Sequence, residues 1–153
     1  MKQPKRIPAA TRAGKPAPRK PAGGEHDEQA KVVSWARINS FRHPELAWLF
    51  AIPNGAKLAG ARTIDGRRVC AEAVRLKAEG MLPGVSDLFL PAARGGFHGL
   101  FLEMKFNDNE PSLAQDKFLQ AMMKAGYDVE VCWTAEAAIA RITSYLAQPA
   151  GGS

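Results

Sequence analysis

The chain has 153 residues, of which 46% are hydrophobic and 24% are charged, and its formal net charge is +6. This length favours one domain with a single core, and no apolar run approaches the ~20 residues of a membrane-spanning helix. The composition therefore argues against a membrane protein. Cys70 and Cys132 form no metal-binding or redox motif. Two reduced thiols and a cytoplasmic location are expected.

Residues 1–24 differ from the rest of the chain in charge and proline content. They contain seven basic residues and no acidic one, which leaves 14 basic residues against 15 acidic ones in the remainder. Five prolines in the same segment predict a disordered or extended tail. Such a tail either tethers nucleic acid through counterion release or only keeps the protein in solution.

The next segment predicts a helix followed by a buried strand. A rough apolar stripe indicates a helix over residues 25–40, formed by Ala30, Val33, Trp35, Ala36 and Ile38. Asp27 is expected to cap it or to favour its first turn. The continuous apolar run over 47–52 predicts a buried strand, ended by the turn residues Pro53-Asn54-Gly55.

The remaining elements alternate between strands and helices. A loop over 57–68 with a turn at Asp65-Gly66 precedes a helix over 69–79 that Gly80 ends. Further elements are expected at 87–91 (strand), 98–105 (strand), 113–125 (helix capped by Ser112, with Leu113, Phe118, Leu119 and Met122 buried), 127–133 (strand) and 135–146 (helix capped by Thr134). Trp35, Trp48 and Trp133 are expected in the core.

This order of elements predicts an α/β fold with a central mixed sheet of about four strands flanked by helices. The folded domain is expected to span residues 25–148, and residues 149–153 are expected to be flexible. Gly126 is expected to stop the helix that precedes the last strand.

Three charged residues lie where two neighbouring strands of this sheet should meet. Asp87 begins one apolar run, and Glu103 and Lys105 lie within the next. Side chains on a strand alternate between faces, so Glu103 and Lys105 should point the same way. A tight turn between the strands would bring all three together. Either the three side chains form a structural ion pair at the strand end, or they bind a charged ligand.

A ligand of this kind would be a hard divalent cation. Two carboxylates and the carbonyl oxygen of Met104 form an all-oxygen set suited to Mg²⁺ or Mn²⁺. Such an ion can supply the water that attacks a phosphodiester, and Lys105 can orient that water or stabilise the developing charge. The residues therefore favour a metal-dependent nuclease.

The pattern resembles the VRR-NUC branch of the PD-(D/E)xK nuclease superfamily. Asp87 and Glu103-Met104-Lys105 match its two central motifs, with Ser86 where proline is more usual. Further similar segments occur in the same order: Glu28-Gln29, Ile52-Pro53-Asn54-Gly55, Gly80-Met81-Leu82-Pro83-Gly84 and Ser112-Leu113-Ala114-Gln115. The resemblance spans roughly residues 25–146.

The resemblance implies a restriction-endonuclease-like core and a divalent-metal endonuclease that often acts on branched or flapped DNA. It implies Glu28 as a further metal ligand and Gln115 as a catalytic-site residue. Gln115 could equally be an ordinary exposed helix residue, and Glu28 could serve only the helix dipole. Short members resemble phage or bacterial enzymes that dimerise and cut four-way (Holliday) junctions, so a homodimer in a bacterial or phage-infected cell is also implied.

Basic residues between the first strand and Gly80 are the candidates for DNA contact. They are Lys57, Arg62, Arg67 and Arg68, together with Arg75 and Lys77, and Asn54 precedes them. These side chains contact either the phosphates of branched or duplex DNA or only solvent. The alternatives to a nuclease are a DNA-binding accessory module of the same fold without activity, and an interaction protein whose acid–lysine cluster is structural.

Overall fold

The computed structural model describes residues 12–13, 24–53, 62–64, 67–69 and 71–151, with the backbone alone at 12–13, 62–64, 67–69 and 71–73. In chain order the elements are β1 (Arg12–Ala13), α1 (Glu25–Asn39), a 3-10 helix (Pro44–Trp48), β2 (Phe50–Ala51), β3 (Arg62–Ile64), β4 (Arg67–Val69), α2 (Ala71–Ala78), β5 (Leu88–Leu90), β6 (Leu100–Met104), α3 (Leu113–Lys124), β7 (Asp128–Cys132) and α4 (Ala135–Leu146).

The main sheet is mixed and has the strand order β1-β7-β6-β5-β2. Strand β6 pairs antiparallel with β5 and parallel with β7, and β2 pairs antiparallel with β5. The two-residue strand β1 pairs in parallel with β7 at the outer edge. Strands β3 and β4 form a separate antiparallel hairpin. The α/β fold with a mixed sheet flanked by helices is confirmed.

Helices cover both faces of the sheet, and the central strand β6 is therefore buried at every position. Its residues Leu100, Leu102 and Met104 pack with buried residues of α1 and α4. On the opposite face Phe101 packs with Leu119 of α3. Phe101 and Glu103 share that face by alternation, so an acidic group lies at the end of an apolar surface.

The ends of the helices follow the predicted local chemistry. The Ser112 and Thr134 side chains accept hydrogen bonds from the backbone N–H groups of Gln115 and Ala137, at 3.3 and 3.1 Å. Asp27 accepts from the Gly24 N–H at 2.9 Å, so it stabilises the start of α1 from its first turn. Gly126 has φ +86°, as a residue that ends a helix often does.

The strand predicted over 47–52 is confirmed only at Phe50–Ala51, and its predicted burial is wrong. Pro44 begins a 3-10 helix that runs to Trp48, and only Phe50 and Ala51 pair with β5. The side chains of Trp48 and Phe50 are 70% and 49% exposed, so Trp48 does not belong to the core, whereas Trp133 does. Proline at the first helical position overrides the apolar pattern here.

The buried apolar faces predicted for α1 and α3 are also partly wrong. In α1 the buried residues are Glu28, Val32 and Ala36, whereas Ile38 is 70% exposed. In α3 Leu119 is fully buried, but Leu113 is 59% exposed. Leu113 is the first residue of its helix, where the apolar periodicity does not ensure burial.

Three segments predicted as loop or tail contain regular backbone. Part of the loop over 57–68 forms the β3–β4 hairpin, and the Asp65-Gly66 turn lies outside the described residues. Arg12–Ala13, within the predicted tail, pairs with β7. Gly151 N–H donates to the Ala93 carbonyl, and Ala150 pairs with Arg94, so residues 149–151 are joined to the turn after β5. None of the described helices is both long and apolar enough to cross a membrane.

Candidate active site

The register of β5 and β6 brings Asp87 to Glu103. Leu88 pairs with Leu102, so the residue before β5 lies beside the residue after Leu102. Oδ2 of Asp87 accepts a hydrogen bond from the Met104 N–H at 2.8 Å. On the other side of β5, the Asp87 carbonyl accepts from the Ile52 N–H at 2.8 Å. Asp87 is therefore fixed between two neighbouring strands.

Glu103 and Lys105 form a buried ion pair on one face of the sheet. Nζ of Lys105 lies 2.7 Å from Oε1 of Glu103, and the two side chains are 8% and 0% exposed. The alternation of strand residues predicted this juxtaposition. A charged pair so deeply buried carries a large desolvation cost, which further charged partners must offset.

Gln115 gives Glu103 a second hydrogen-bond donor. The Gln115 Oε1 accepts from the Ser112 N–H at 2.8 Å, and the Nε2 of the same amide donates to Glu103 Oε1. The helix cap therefore fixes the orientation of the amide. Among the described residues, no group hydrogen-bonds Glu103 Oε2, although this atom is buried. One oxygen of Glu103 thus receives two donors, and the other is left for a ligand.

Glu25 completes a group of three carboxylates. One carboxylate oxygen from each of Glu25, Asp87 and Glu103 lies within 4.8 Å of the others. Oε1 of Glu25 is also 3.4 Å from Nζ of Lys105. Glu25 is the first residue of α1, so the helix delivers its side chain to the end of the sheet where β6 finishes.

Glu28 lies one turn further along α1 and faces a different neighbour. Its Oε2 accepts from the Ala135 N–H at 2.7 Å, and its Oε1 accepts from Lys31 Nζ at 2.6 Å. Although burial opposes the charge, these hydrogen bonds lower the pKa of Glu28. The structure thus brings Glu25, rather than Glu28, to Asp87 and Glu103. The sequence offered one signal for Glu25, its position three residues before Glu28 on the same helical face.

The pKa of Glu103 reflects its burial and the charges around it. Burial, and then the negative charge of Asp87, raise the pKa of Glu103 to about 8, and Lys105 acts in the opposite direction. A divalent cation beside Glu103 would favour its ionised form. The buried Oε2 and the all-oxygen donor set fit Mg²⁺ or Mn²⁺.

Lys105 remains charged in this environment. Burial opposes its charge, but the carboxylate of Glu103 and, more weakly, those of Glu25 and Asp87 raise the pKa of Lys105 above its ordinary value. A lysine that holds its proton this firmly is suited to stabilising negative charge rather than to accepting a proton.

Met104 presents different groups to the two sides of β6. Its side chain is fully buried in the core, and its N–H donates to Asp87. A metal contact through its carbonyl oxygen stays a prediction.

The predicted DNA-contacting residues lie in and around the β3–β4 hairpin. Arg62, Arg67 and Arg68 are strand residues of this hairpin, whereas Asn54 and Lys57 lie outside the described residues. Arg75 and Lys77 follow on α2 with exposed side chains, and Arg75 lies 3.5 Å from Glu79. The segment between β2 and β5 therefore carries an arm rich in basic residues.

Comparisons with known proteins agree on one family. A family model described as the VRR-NUC domain matches residues 24–136. A solved structure titled "VRR_NUC domain protein" is similar, with a TM-score of 0.65 and 24% sequence identity over 82% of this chain and 89% of that one. No curated protein matches the chain. The structural match confirms the predicted fold.

Proposed function

The chain belongs to the VRR-NUC family of PD-(D/E)xK-type nucleases, and from this premise we propose that it is a divalent-metal-dependent DNA endonuclease. One observation carries the proposal. Carboxylate oxygens of Glu25, Asp87 and Glu103 lie within 4.8 Å of one another, directly beside the Lys105 ammonium, which is 2.7 Å from Glu103. A group of carboxylates of which one, Glu103, is fully buried is costly to the fold unless a cation binds to it.

Glu25, Asp87 and Glu103 are the proposed metal ligands, with the Met104 carbonyl as a further candidate. The resemblance implied Glu28 in this role, but its carboxylate already holds the start of α4 and Lys31. A bound Mg²⁺ or Mn²⁺ would neutralise phosphate charge and lower the pKa of a water molecule.

The residues of the chain have separate tasks in this proposal. Lys105 stabilises the negative charge that develops on the phosphate, because its ammonium is fixed by Glu103 and keeps its proton. Gln115 holds Glu103 Oε1 with its donors, which would leave Oε2 free to hold the cation. Asp87 is held against the Met104 N–H, which limits its movement during the reaction.

The β3–β4 hairpin and α2 are the proposed DNA-contacting arm. Its contribution would come from Arg62, Arg67 and Arg68, together with Asn54 and Lys57, which precede it in the sequence, and these residues would bind phosphates without reading sequence. Residues 1–24 are proposed to add affinity in the same way, outside a catalytic domain over 25–148. Cleavage of a four-way junction would need two sites on opposite strands and therefore a symmetric dimer.

A cleavage assay tests the proposal directly. Single-stranded, duplex, flapped and four-way-junction DNA are incubated with Mg²⁺ or Mn²⁺ and the parent chain, Lys105→Ala, or the exposed control Lys124→Ala. We expect cleavage by the parent and the control, and a loss of roughly 10²–10³-fold in Lys105→Ala. Metal-independent cleavage, or equal activity in the three proteins, would contradict the proposal.

The alternative function is DNA binding without catalysis. It predicts salt-sensitive binding of DNA by all three proteins and no cleavage in any divalent metal. The presence of Asp87, Glu103 and Lys105 in one cluster, with Glu103 and Lys105 buried, favours the enzyme, since a binding module gains nothing from the cost of burying these charges.

A further inference from the structure

A buried indole holds the chain segment that follows Lys105. Trp133 is fully buried, and its Nε1–H donates to the Asn109 carbonyl at 2.9 Å. The carbonyl of the residue before it, Cys132, accepts a hydrogen bond from the Lys105 N–H at 2.8 Å. Two consecutive residues at the end of β7 therefore hold both ends of the segment 105–109.

The segment between these two hydrogen bonds contains a turn with a left-handed residue. The Asn109 N–H donates to the Phe106 carbonyl at 3.1 Å. Asn107 has φ +52°, and within the part of the chain that the structure describes it is the only non-glycine residue with a positive φ. Asparagine adopts this conformation more readily than most side chains do, whereas a β-branched residue strongly disfavours it. The turn therefore depends on the type of residue at position 107.

This turn lies in the connection between two residues that contact the same oxygen of Glu103. The β6–α3 connection consists of residues 106–111. Lys105 precedes it, with Nζ 2.7 Å from Glu103 Oε1. Ser112 follows it and holds the amide of Gln115, which donates to the same oxygen. The position of the connection therefore affects where both donors lie.

Trp133 is suited to hold this connection because its own position is fixed. Its side chain packs in one core cluster with Phe101, Leu119 and Val131, on the face of the sheet that α3 covers. A side chain packed on all sides gives its N–H a constant direction. Core packing accounts for the burial of the ring, and the choice of acceptor links this core to the site.

We propose that Trp133 is a positioning residue for the reaction, since by holding Asn109 it keeps Lys105 and Gln115 on Glu103 Oε1. The consequence for cleavage rests on the proposed nuclease function. In this role Trp133 contacts neither the phosphate nor the cation and acts only through the β6–α3 connection. Loss of the hydrogen bond lets the turn shift relative to β7, and a displacement of about 1 Å at a reacting group can lower a rate about 100-fold.

A comparison of two tryptophans tests the proposal. Single-turnover cleavage at saturating Mn²⁺, and the affinity for the same DNA, are measured for the parent, Trp133→Phe and Trp48→Phe. Trp133→Phe removes the N–H donor and keeps an aromatic ring, and Trp48 is the control because it is 70% exposed. We expect the rate constant to fall about tenfold in Trp133→Phe alone, with the DNA affinity unchanged. Equal rates in the two variants, or a loss of affinity without a loss of rate, would overturn the proposal.

A second pair of variants tests the same connection without touching the core. Asn107 is exposed, so neither Asn107→Val nor Asn107→Gly opens a cavity. Glycine adopts a positive φ freely and valine does not. We expect Asn107→Val to lose rate as Trp133→Phe does, and Asn107→Gly to cleave as the parent does. Equal rates in the two Asn107 variants would overturn the proposal even if Trp133→Phe does not fold.

Hydrogen exchange separates this inference from the proposed function. The exchange rates of the Lys105 ammonium protons and the Gln115 amide protons are measured by NMR in metal-free buffer for the parent and both Asn107 variants. The signals are assigned by their absence in Lys105→Ala and Gln115→Ala. Faster exchange in Asn107→Val alone supports the positioning role even if the parent cleaves no DNA, an outcome that would refute the nuclease alone. Unchanged exchange in Asn107→Val would refute the positioning role, whether or not the parent cleaves DNA.

Discussion

The side-chain amide of Gln115 links the cap of helix α3 to the carboxylate of Glu103. Its oxygen accepts from the Ser112 N–H, and its nitrogen donates to Glu103 Oε1. Stability of the helix and orientation of the proposed ligand therefore depend on one side chain, and substitutions can separate the two effects.

Ser112→Ala removes the hydroxyl that accepts from the Gln115 N–H but keeps the backbone donor of the amide. We expect it to lower the free energy of unfolding by about 1 kcal/mol and to leave Mn²⁺ affinity unchanged. Gln115→Ala should weaken Mn²⁺ binding by about 10- to 100-fold, because Glu103 loses a fixed donor. Calorimetric titration with Mn²⁺ and thermal unfolding measure both quantities. Equal affinities in the two variants would refute the positioning role.

Glu103 makes the stability of the metal-free protein fall as the pH rises. Folding raises the pKa of Glu103 from its ordinary 4.5 to about 8, so the folded state holds the proton more firmly. Its contribution to stability is therefore complete below pH 4.5 and is lost as the pH rises through about 8. We expect the unfolding temperature of the metal-free parent to fall between pH 4.5 and about 8 and to level off above that, and Glu103→Gln to show a smaller fall.

Mn²⁺ provides the control for this prediction. At about 100 times its dissociation constant it should stabilise the parent by about 2.7 kcal/mol, and this effect should be absent in Glu103→Gln. Identical pH profiles of the two metal-free proteins would show that Glu103 is not the titrating group.

Substitutions at Glu28 and Glu25 should separate an effect on the free energy of unfolding from an effect on Mn²⁺ affinity. Glu28→Gln leaves one partner of the buried carboxylate unsatisfied, so we expect a loss of about 1–3 kcal/mol in the free energy of unfolding with Mn²⁺ affinity retained. Glu25→Gln should give the reverse, with a loss of affinity and little change in stability.

The pH dependence identifies the Glu28 contribution. Its pKa is lowered on folding from the ordinary 4.5, so its stabilisation is present above pH 4.5 and is lost as the pH falls through the lower folded value. Denaturation with urea between about pH 3 and 7 should show the difference between parent and Glu28→Gln disappearing in acid. A loss of Mn²⁺ binding in Glu28→Gln would instead restore Glu28 as a ligand.

Two glycines with positive φ should respond differently to alanine. Gly80 has φ +102°, and a Cβ added there would meet no atom within 4 Å, so Gly80→Ala should cost only the backbone strain of about 1–2 kcal/mol. Gly84→Ala adds a collision with the Ala114 backbone and should cost more, while also weakening Mn²⁺ binding through the displaced α3. Equal unfolding temperatures of the two variants would show that the Ala114 backbone moves away from the added Cβ at no cost in stability.

The sequence was sufficient for those parts of the site that depend on local geometry. Alternation along β6 placed Glu103 with Lys105, and a short connection between β5 and β6 placed Asp87 beside them. Glu25 could not be told from Glu28 in this way, because both lie on one helical face and only the docking of α1 against α4 decides which reaches the sheet. Trp48 and Leu113 are exposed although the sequence predicts them to be buried. The reason is related: each lies at the end of an element, where periodicity no longer indicates what covers the side chain.

The three carboxylates of the cluster are separated by very different numbers of residues along the chain. Asp87 and Glu103 are 16 positions apart and meet through a hairpin, whereas Glu25 is 62 positions from Asp87. Closing the longer loop costs about 1 kcal/mol more entropy than closing the shorter one. The hairpin can therefore assemble two ligands early in folding, and the third arrives only when α1 docks. The hydrogen bond from the Ala135 N–H to Glu28 links α1 to the start of α4 and so supports the position of the third carboxylate.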